Sequence, residues 1–240
     1  MLSPSCSFER YYQLLSYKVD AVTVFDVCSE GTLLQGYDVT AVDVNPGDKI
    51  TSLRCEKAQV DVASPDSIAA FKKAYGDGPL DLLLNIAGVM APHEQDALAT
   101  VSHDTLLKTF GVNTFGPLLL TQALLPNLLK AGNARLGVVS SRVGSIADNR
   151  SGGSYAYRAS KAAVNSVFKS VAVDLRGGGV VVVVMHPGIV RTGLAPGSSW
   201  ASTEAVMPEE AAEKLYQVLL SKGLGETGRF WHREGFQLEW

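Results

Sequence analysis

Three runs of this chain are apolar at successive positions instead of alternate ones. They are Asp81-Leu82-Leu83-Leu84-Asn85, Leu136-Gly137-Val138-Val139 and Val180 to Met185, and each leads into small or polar residues. A strand that is hydrophobic on both sides of its pleat has both faces covered, so these runs read as buried strands of a parallel sheet. Tyr37 to Val44 adds a further strand, closed by Asp43. Segments that read as helix lie between the strands, notably Thr114 to Leu129 and Tyr157 to Leu175. Strand and helix therefore alternate, which predicts an α/β domain built on a doubly wound parallel sheet with helices on both faces.

Candidate chemistry collects where these elements join. Tyr157 and Lys161 stand four positions apart at the start of an Ala- and Val-rich stretch, so the phenol and the ammonium share one helical face. A free tyrosine titrates near pH ~10, and a cation beside it favours the phenolate, so the pair can exchange a proton closer to neutrality. A carbonyl/alcohol redox enzyme needs that exchange. The strand Leu136 to Val139 delivers Ser140 and Ser141 at its carboxyl end, the edge where ligands of open α/β sheets collect. The strand at Asp81 runs into Ile86-Ala87-Gly88, and the one at Val180 into His186-Pro187-Gly188-Ile189-Val190-Arg191-Thr192. Pro117, four residues after Asn113, cannot donate the helical hydrogen bond that would otherwise reach the carbonyl of Asn113. His186 has no partner at metal spacing and reads as structural, and Arg158 reads as a surface residue turned away from Tyr157.

Composition narrows the setting. A length of 240 residues suits one α/β domain with a substantial core. A net charge of -3 without a basic run argues against nucleic-acid and anionic-membrane partners. No apolar stretch reaches the length of a membrane span, and the N-terminus, with Glu9 and Arg10, does not read as a signal peptide. Cys6, Cys28 and Cys55 lack metal spacing, so no metal is expected and the expected compartment is reducing and cytoplasmic.

From residue 37 to 240 the chain resembles the short-chain dehydrogenase/reductase family. The resemblance is carried, in order, by Asp61 after the third strand, Asn85-Ile86-Ala87-Gly88, the helix residue Asn113, Ser141 with Tyr157-x-x-x-Lys161, and the Pro187-Gly188 turn. Ser140 to Ile146, the Gly152-Gly153 loop, Tyr155 to Asn165 and the ending Gly228-Arg229-Phe230 to Trp240 are similar to C-factor-like and sniffer-like carbonyl reductases. The resemblance implies a single Rossmann-like domain over residues 1–240, with 1–36 as a divergent N-terminal segment. It also implies an oxidoreductase that moves a hydride between NAD or NADP and a small carbonyl or secondary-alcohol substrate. In such an enzyme Tyr157 is the general acid/base, Lys161 lowers its pKa and holds the nicotinamide ribose, and Ser141 donates to the substrate oxygen. The main-chain carbonyl of Asn113 holds a proton-relaying water. Asp61 and Val62 touch adenine; Asn85, Ala87 and Gly88 line the adenosine ribose; Pro187, Gly188, Ile189, Val190 and Thr192 form the nicotinamide end. Leu194 to Met207, with Trp200, corresponds to a substrate lid. Relatives pair the two long helices with their twofold mates, which implies a homodimer or homotetramer.

The chain also departs from the family. A glycine-rich turn normally lets backbone approach the pyrophosphate at a helix N-terminus. Here Ala21 to Gly31 offers one glycine, with the carboxylates Asp26 and Glu30. Three readings fit that break: divergence with binding retained, a degenerate relative serving as a non-catalytic binding or regulatory protein, or a wrongly reconstructed N-terminal sequence. Ser141 stands farther before Tyr157 than the family's serine does, which an insertion at Asp148 to Gly153 accounts for; Ser145 is the competing candidate. Ile86 replaces the second asparagine of the family's motif. Asp43 can accept hydrogen bonds from the adenosine ribose and would repel a 2′-phosphate, and Val44 follows where NADP-preferring relatives carry arginine, so NAD is favoured.

Overall fold

The computed structural model describes residues 19–24, 37–45, 48–51, 53, 55–194 and 201–240. Among them are the strands β1 (Val19–Val24), β2 (Tyr37–Asp43), β3 (Glu56–Gln59), β4 (Leu82–Asn85), β5 (Arg135–Val139), β6 (Val181–His186) and β7 (Arg229–His232). They form one sheet in the order β3-β2-β1-β4-β5-β6-β7, and every pairing is parallel. The chain leaves β1 for β2 and β3, then returns to the other side of β1 at β4. That reversal of direction is where open α/β sheets form a ligand crevice. Most of the segment in which the family's glycine turn was sought, and Trp200, lie outside the described residues.

The longer helices among the described residues are α1 (Pro65–Tyr75), α2 (His103–Phe110), α3 (Gly116–Lys130), α4 (Tyr155–Leu175) and α5 (Pro208–Ser221). β6 shows why the strands read apolar at successive positions, since all of its residues are buried. Val182 and Val184 join Leu83 and Leu136 of neighbouring strands beneath Leu124 of α3 and Phe168 of α4. Val181, Val183 and Met185 point the other way, to Leu82, Leu84 and the α5 residues Val218 and Leu219. Ile68 and Phe71 bring α1 onto the first of these faces. Each fully buried aliphatic or aromatic side chain contributes ~1.5–3 kcal/mol relative to exposure, so the two covered faces hold the sheet edge in place. Among the described residues no helix is long and apolar enough to cross a membrane.

The helix expected from Thr114 is interrupted. Gly111–Phe115 forms a π-helical turn in which the Gly116 N–H reaches back five residues to the Gly111 carbonyl, and α3 starts only at Gly116 with Pro117 in its first turn. Proline is tolerated there because the first amides of a helix have no internal acceptor. The wider turn carries Asn113.

Gly137 of β5 lies level with Leu84 of β4 and Val183 of β6. A Cβ there would sit 2.6 Å from Leu84 Cδ2 and 2.9 Å from Met185 Cε. Gly137→Val should therefore lower stability by ~1–3 kcal/mol through overpacking. The measurement is the urea midpoint, and a midpoint equal to that of the wild type would show that the sheet absorbs the extra methyls.

Candidate active site

Segments following β4, β5 and β6 meet α4 and α5 around a cavity of about 180 Å³. Its polar lining includes Ser141, Tyr157, Lys161 and Thr192, and its apolar wall includes Ile86, Val139, Leu194, Ala211 and Leu215. Pro187, Gly188 and Val190 line it on one side, and Gly88 lines it as well.

α4 begins at Tyr155, so Tyr157 lies in its first turn and Lys161 one turn farther on. Both side chains are buried, Lys161 at 3% exposure. The Lys161 ammonium stands 5.8 Å from the centre of the Tyr157 ring and donates to the Val139 carbonyl at 2.9 Å. Burial pushes its pKa down to about 8, because removal from water disfavours the charged amine. The same cause acts oppositely on Tyr157, whose phenol is raised by burial while a polar contact with the Ser141 side chain opposes the rise. Desolvation is the largest effect on Tyr157, and the ammonium is directed at a main-chain carbonyl.

Ser141 caps the short 3-10 turn Arg142–Gly144, its Oγ accepting from the Val143 N–H at 3.4 Å. That turn lies directly on α4, since a Cβ on Gly144 would fall 2.7 Å from the Lys161 carbonyl carbon. Ser145 instead accepts from the Asp148 N–H at 3.2 Å and does not line the cavity. Of the two candidate serines, the fold brings Ser141 to Tyr157.

Asn113 acts through its side chain. Its Oδ1 accepts from the Val89 N–H at 2.8 Å, and its Nδ2 donates to the Val89 carbonyl at 2.9 Å and to Ser160 Oγ at 3.0 Å. Ser160 in turn donates to the Tyr157 carbonyl at 2.8 Å. The amide therefore clips the chain just past Gly88 onto α4. A Cβ on Gly88 would lie 3.5 Å from Lys161 Nζ, so the turn passes close over the lysine.

Other predicted positions lie away from this cavity. Asp43 Oδ1 accepts from the Asn45 N–H at 2.6 Å, and Asp61 Oδ1 accepts from the Ala63 N–H at 2.8 Å. Val62 is a core residue abutting Gly116, and Asn85 is buried with its Nδ2 donating to Thr121 Oγ1 at 3.5 Å. The Asn85 side chain is thus turned to the interior, while the turn that follows it reaches the cavity at Ile86 and Gly88. Ala87 and Ile189 do not line the cavity either, although their neighbours do.

Three contributors were not legible in the spacing. Arg233, just past β7, donates to the Pro187 carbonyl at 2.6 Å and the Ile189 carbonyl at 3.4 Å. Gly188 between them has φ +72°, and a Cβ there would collide with the guanidinium. Arg158, expected at the surface, donates to the Val143 carbonyl at 3.1 Å, Ser151 Oγ at 2.8 Å and the Gly152 carbonyl at 3.1 Å. It ties the inserted loop to the Ser141 turn. Asp96 is buried against the first turn of α4. His186 is neutral near pH 7: burial, then the positive charge of His232, Arg233, Arg142 and Lys161, brings its pKa down to about 3.

Comparison with known proteins agrees with this geometry. A family model described as short chain dehydrogenase matches residues 28–201. The chain is 37% identical over 172 residues to C-signal of Myxococcus xanthus, covering 71% of this chain and 99% of that protein. It is 36% identical over 215 residues to 1-hydroxy-2-glutathionyl-2-methyl-3-butene dehydrogenase of Rhodococcus sp. strain AD45, covering 87% and 86%. The NADPH-bound carbonyl reductase from chicken fatty liver superimposes with a TM-score of 0.81 at 26% identity, over 93% of this chain and 100% of that one. Carbonyl reductase Sniffer of D. melanogaster gives a TM-score of 0.81 at 25% identity with the same coverage.

The lysine's burial has a measurable sign. Folded Lys161 releases its proton at about 8 and the unfolded side chain at 10.5, so between these values the unfolded state binds more protons and stability rises with pH. Relative to Lys161→Met, the wild type should gain about 3 kcal/mol across that window, at 1.36 kcal/mol per pKa unit. Urea unfolding of both proteins from pH 7 to 10.5 tests this; a constant difference would mean that Lys161 titrates as an exposed lysine.

Proposed function

The chain belongs to the short-chain dehydrogenase family, in its sniffer-like carbonyl reductase group, and on that premise we propose that it reduces small apolar ketones or aldehydes with Tyr157 as the proton donor. The observation that carries this reading is one cavity in which Tyr157 and Ser141 face an apolar wall, with Lys161 beside the phenol. Ser141 donates to the carbonyl oxygen of the substrate, stabilising the charge that develops on it, and Tyr157 transfers its proton to the same oxygen. Burial raises the phenol's pKa, which keeps it protonated near pH 7, so the proton is in place when the substrate oxygen gains charge and becomes basic enough to take it. Ile86, Ala211 and Leu215 favour an alkyl or aryl substituent.

The nicotinamide end of the crevice fits a dinucleotide: Pro187, Gly188, Val190 and Thr192 line the same space as Lys161. Bound there, the reduced cofactor supplies the hydride. Asp43, Asp61, Val62 and the turn from Asn85 through Ala87 to Gly88 are assigned to its adenosine half. The carbonyl reductase from chicken fatty liver is NADPH-bound, and on that likeness NADP is preferred for this chain. The expectation of NAD, drawn from Asp43, finds no support among these relatives, and the Asp43 carboxylate already holds the Asn45 N–H. Asp26 and Glu30, in place of the phosphate-binding glycines, favour a second reading, a non-catalytic binding or regulatory protein. A cytoplasmic dimer or tetramer completes the proposal, with Leu118 and Val173 exposed on the two long helices as interface material.

Calorimetric titration with NADPH and NADH, followed by turnover of an aromatic ketone series, separates the readings. Tyr157→Phe should bind cofactor like the wild type while kcat falls by about 10²–10⁴-fold. Equal turnover by the variant would sink the assigned role, and failure of the wild type to bind either nucleotide would favour the second reading.

A further inference from the structure

The helix that carries Tyr157 and Lys161 has an unusual start. Ser154, the residue before it, has a left-handed φ of 49° and gives no side-chain cap. Gly152 and Gly153 immediately upstream also have positive φ, so the inserted loop turns into α4 through three left-handed residues without offering its first amides a local acceptor. The first N–H groups of a helix have no partner within it and need one from elsewhere. Here all three come from one residue. The Asp96 carbonyl accepts from the Tyr155 N–H at 3.3 Å, Oδ1 accepts from the Ala156 N–H at 2.7 Å, and Oδ2 accepts from the Tyr157 N–H at 3.1 Å. The next amide, Arg158 N–H, bonds to the Ser154 carbonyl at 2.8 Å within the helix. Asp96 is 1% exposed.

Hydrogen bonds to a buried carboxylate are stronger than neutral ones, and an anion at a helix N-terminus is further favoured by the aligned peptide dipoles. Asp96 also belongs to the segment that descends from Gly88: Asn113 clips Val89, the turn His93–Gln95 follows, and the Asp96 N–H closes it on the His93 carbonyl at 3.3 Å. The cofactor-facing turn and the first turn of α4 thus share one rigid connection. Lys161 is anchored independently, by the Val139 carbonyl, whereas the Tyr157 backbone is held at its amide by Asp96.

We propose that Asp96 is the positioning residue of Tyr157, fixing the first turn of α4 so that the phenol faces Ser141 while leaving the lysine half of the site unaffected. This rests on the reading of Tyr157 as the proton donor, and the test separates the two. In Asp96→Asn one carboxylate oxygen becomes an NH₂ that cannot accept from an amide. Hydrogen–deuterium exchange should speed up at least tenfold in peptides covering residues 155–158, with strands β5 and β6 unchanged. In protein labelled with ¹³Cζ-tyrosine, the Tyr157 resonance should titrate at lower pH than in the wild type, because the phenol loses burial. With NADPH and an aromatic ketone, kcat should fall at least tenfold while the NADPH dissociation constant stays within about twofold. Unchanged exchange at 155–158, faster exchange throughout the sheet, or an unaltered kcat despite local opening would each overturn the proposal. If the wild type neither binds a nicotinamide dinucleotide nor turns over a ketone, the reductase reading fails. Exchange and the tyrosine titration then still decide whether Asp96 positions Tyr157. Asp96→Glu, which keeps both acceptor oxygens, should recover part of the exchange protection, and a Glu variant no better than Asn would count against the capping geometry.

Discussion

An ammonium almost without access to water sits at the centre of this molecule's chemistry, and much of the surrounding construction makes its burial tolerable. Among the described residues Lys161 donates to the carbonyl at the end of β5, and it lies under Gly88 and beside Gly144, where a side chain in place of Gly144 would collide with the lysine's backbone and Cβ. Burying a charge in a low-dielectric interior is costly unless polar partners converge on it, and the usual response is a shifted pKa. The strand end, the glycine turn and the serine-bearing turn must therefore arrive in register. The parallel sheet provides that register, because β4, β5 and β6 end at the same edge.

The surroundings of Tyr157 and the region proposed to hold the cofactor are built differently. Around Tyr157 side chains are linked in series: Ser160 bridges Asn113 to the Tyr157 carbonyl, and Ser140 donates to Asn165 Oδ1, although Asn165 Nδ2 and His186 Nδ1 are buried without a protein partner. Linked buried hydrogen bonds of this kind confer rigidity. Asp43 and Asp61, farther from the cavity, accept from amides two residues away in their own turns.

The sheet was legible because its strands carry their burial in plain view. Leu82 to Leu84 and Val181 to Met185 can be apolar at every position only if both faces are covered. The Tyr157–Lys161 pair was legible because helical spacing is local. Asn113 was found through Pro117, yet its use of the side chain to clip Val89 was not, since the partner lies 24 residues away. Asp96, Arg158 and Arg233 escaped for the same reason: each acts on main-chain atoms distant in sequence, and a main-chain acceptor has no residue type to recognise. The choice between Ser141 and Ser145 needed the contact of Gly144 with α4, a packing fact with no sequence signature. The sign of the effect on Tyr157 also depended on burial, which spacing does not report.

β6 has a further consequence outside the folded state. Val180 to Val184 is five consecutive valines, a segment with high strand propensity, no charge and no proline. In the native sheet it is sealed between β5 and β7 and covered on both faces. Parallel strands must wait for distant partners, so a chain of this topology folds slowly and exposes such segments on the way. The strand that carries His186 to the site is thus disposed to self-association while it waits, unpaired, for its neighbours during synthesis.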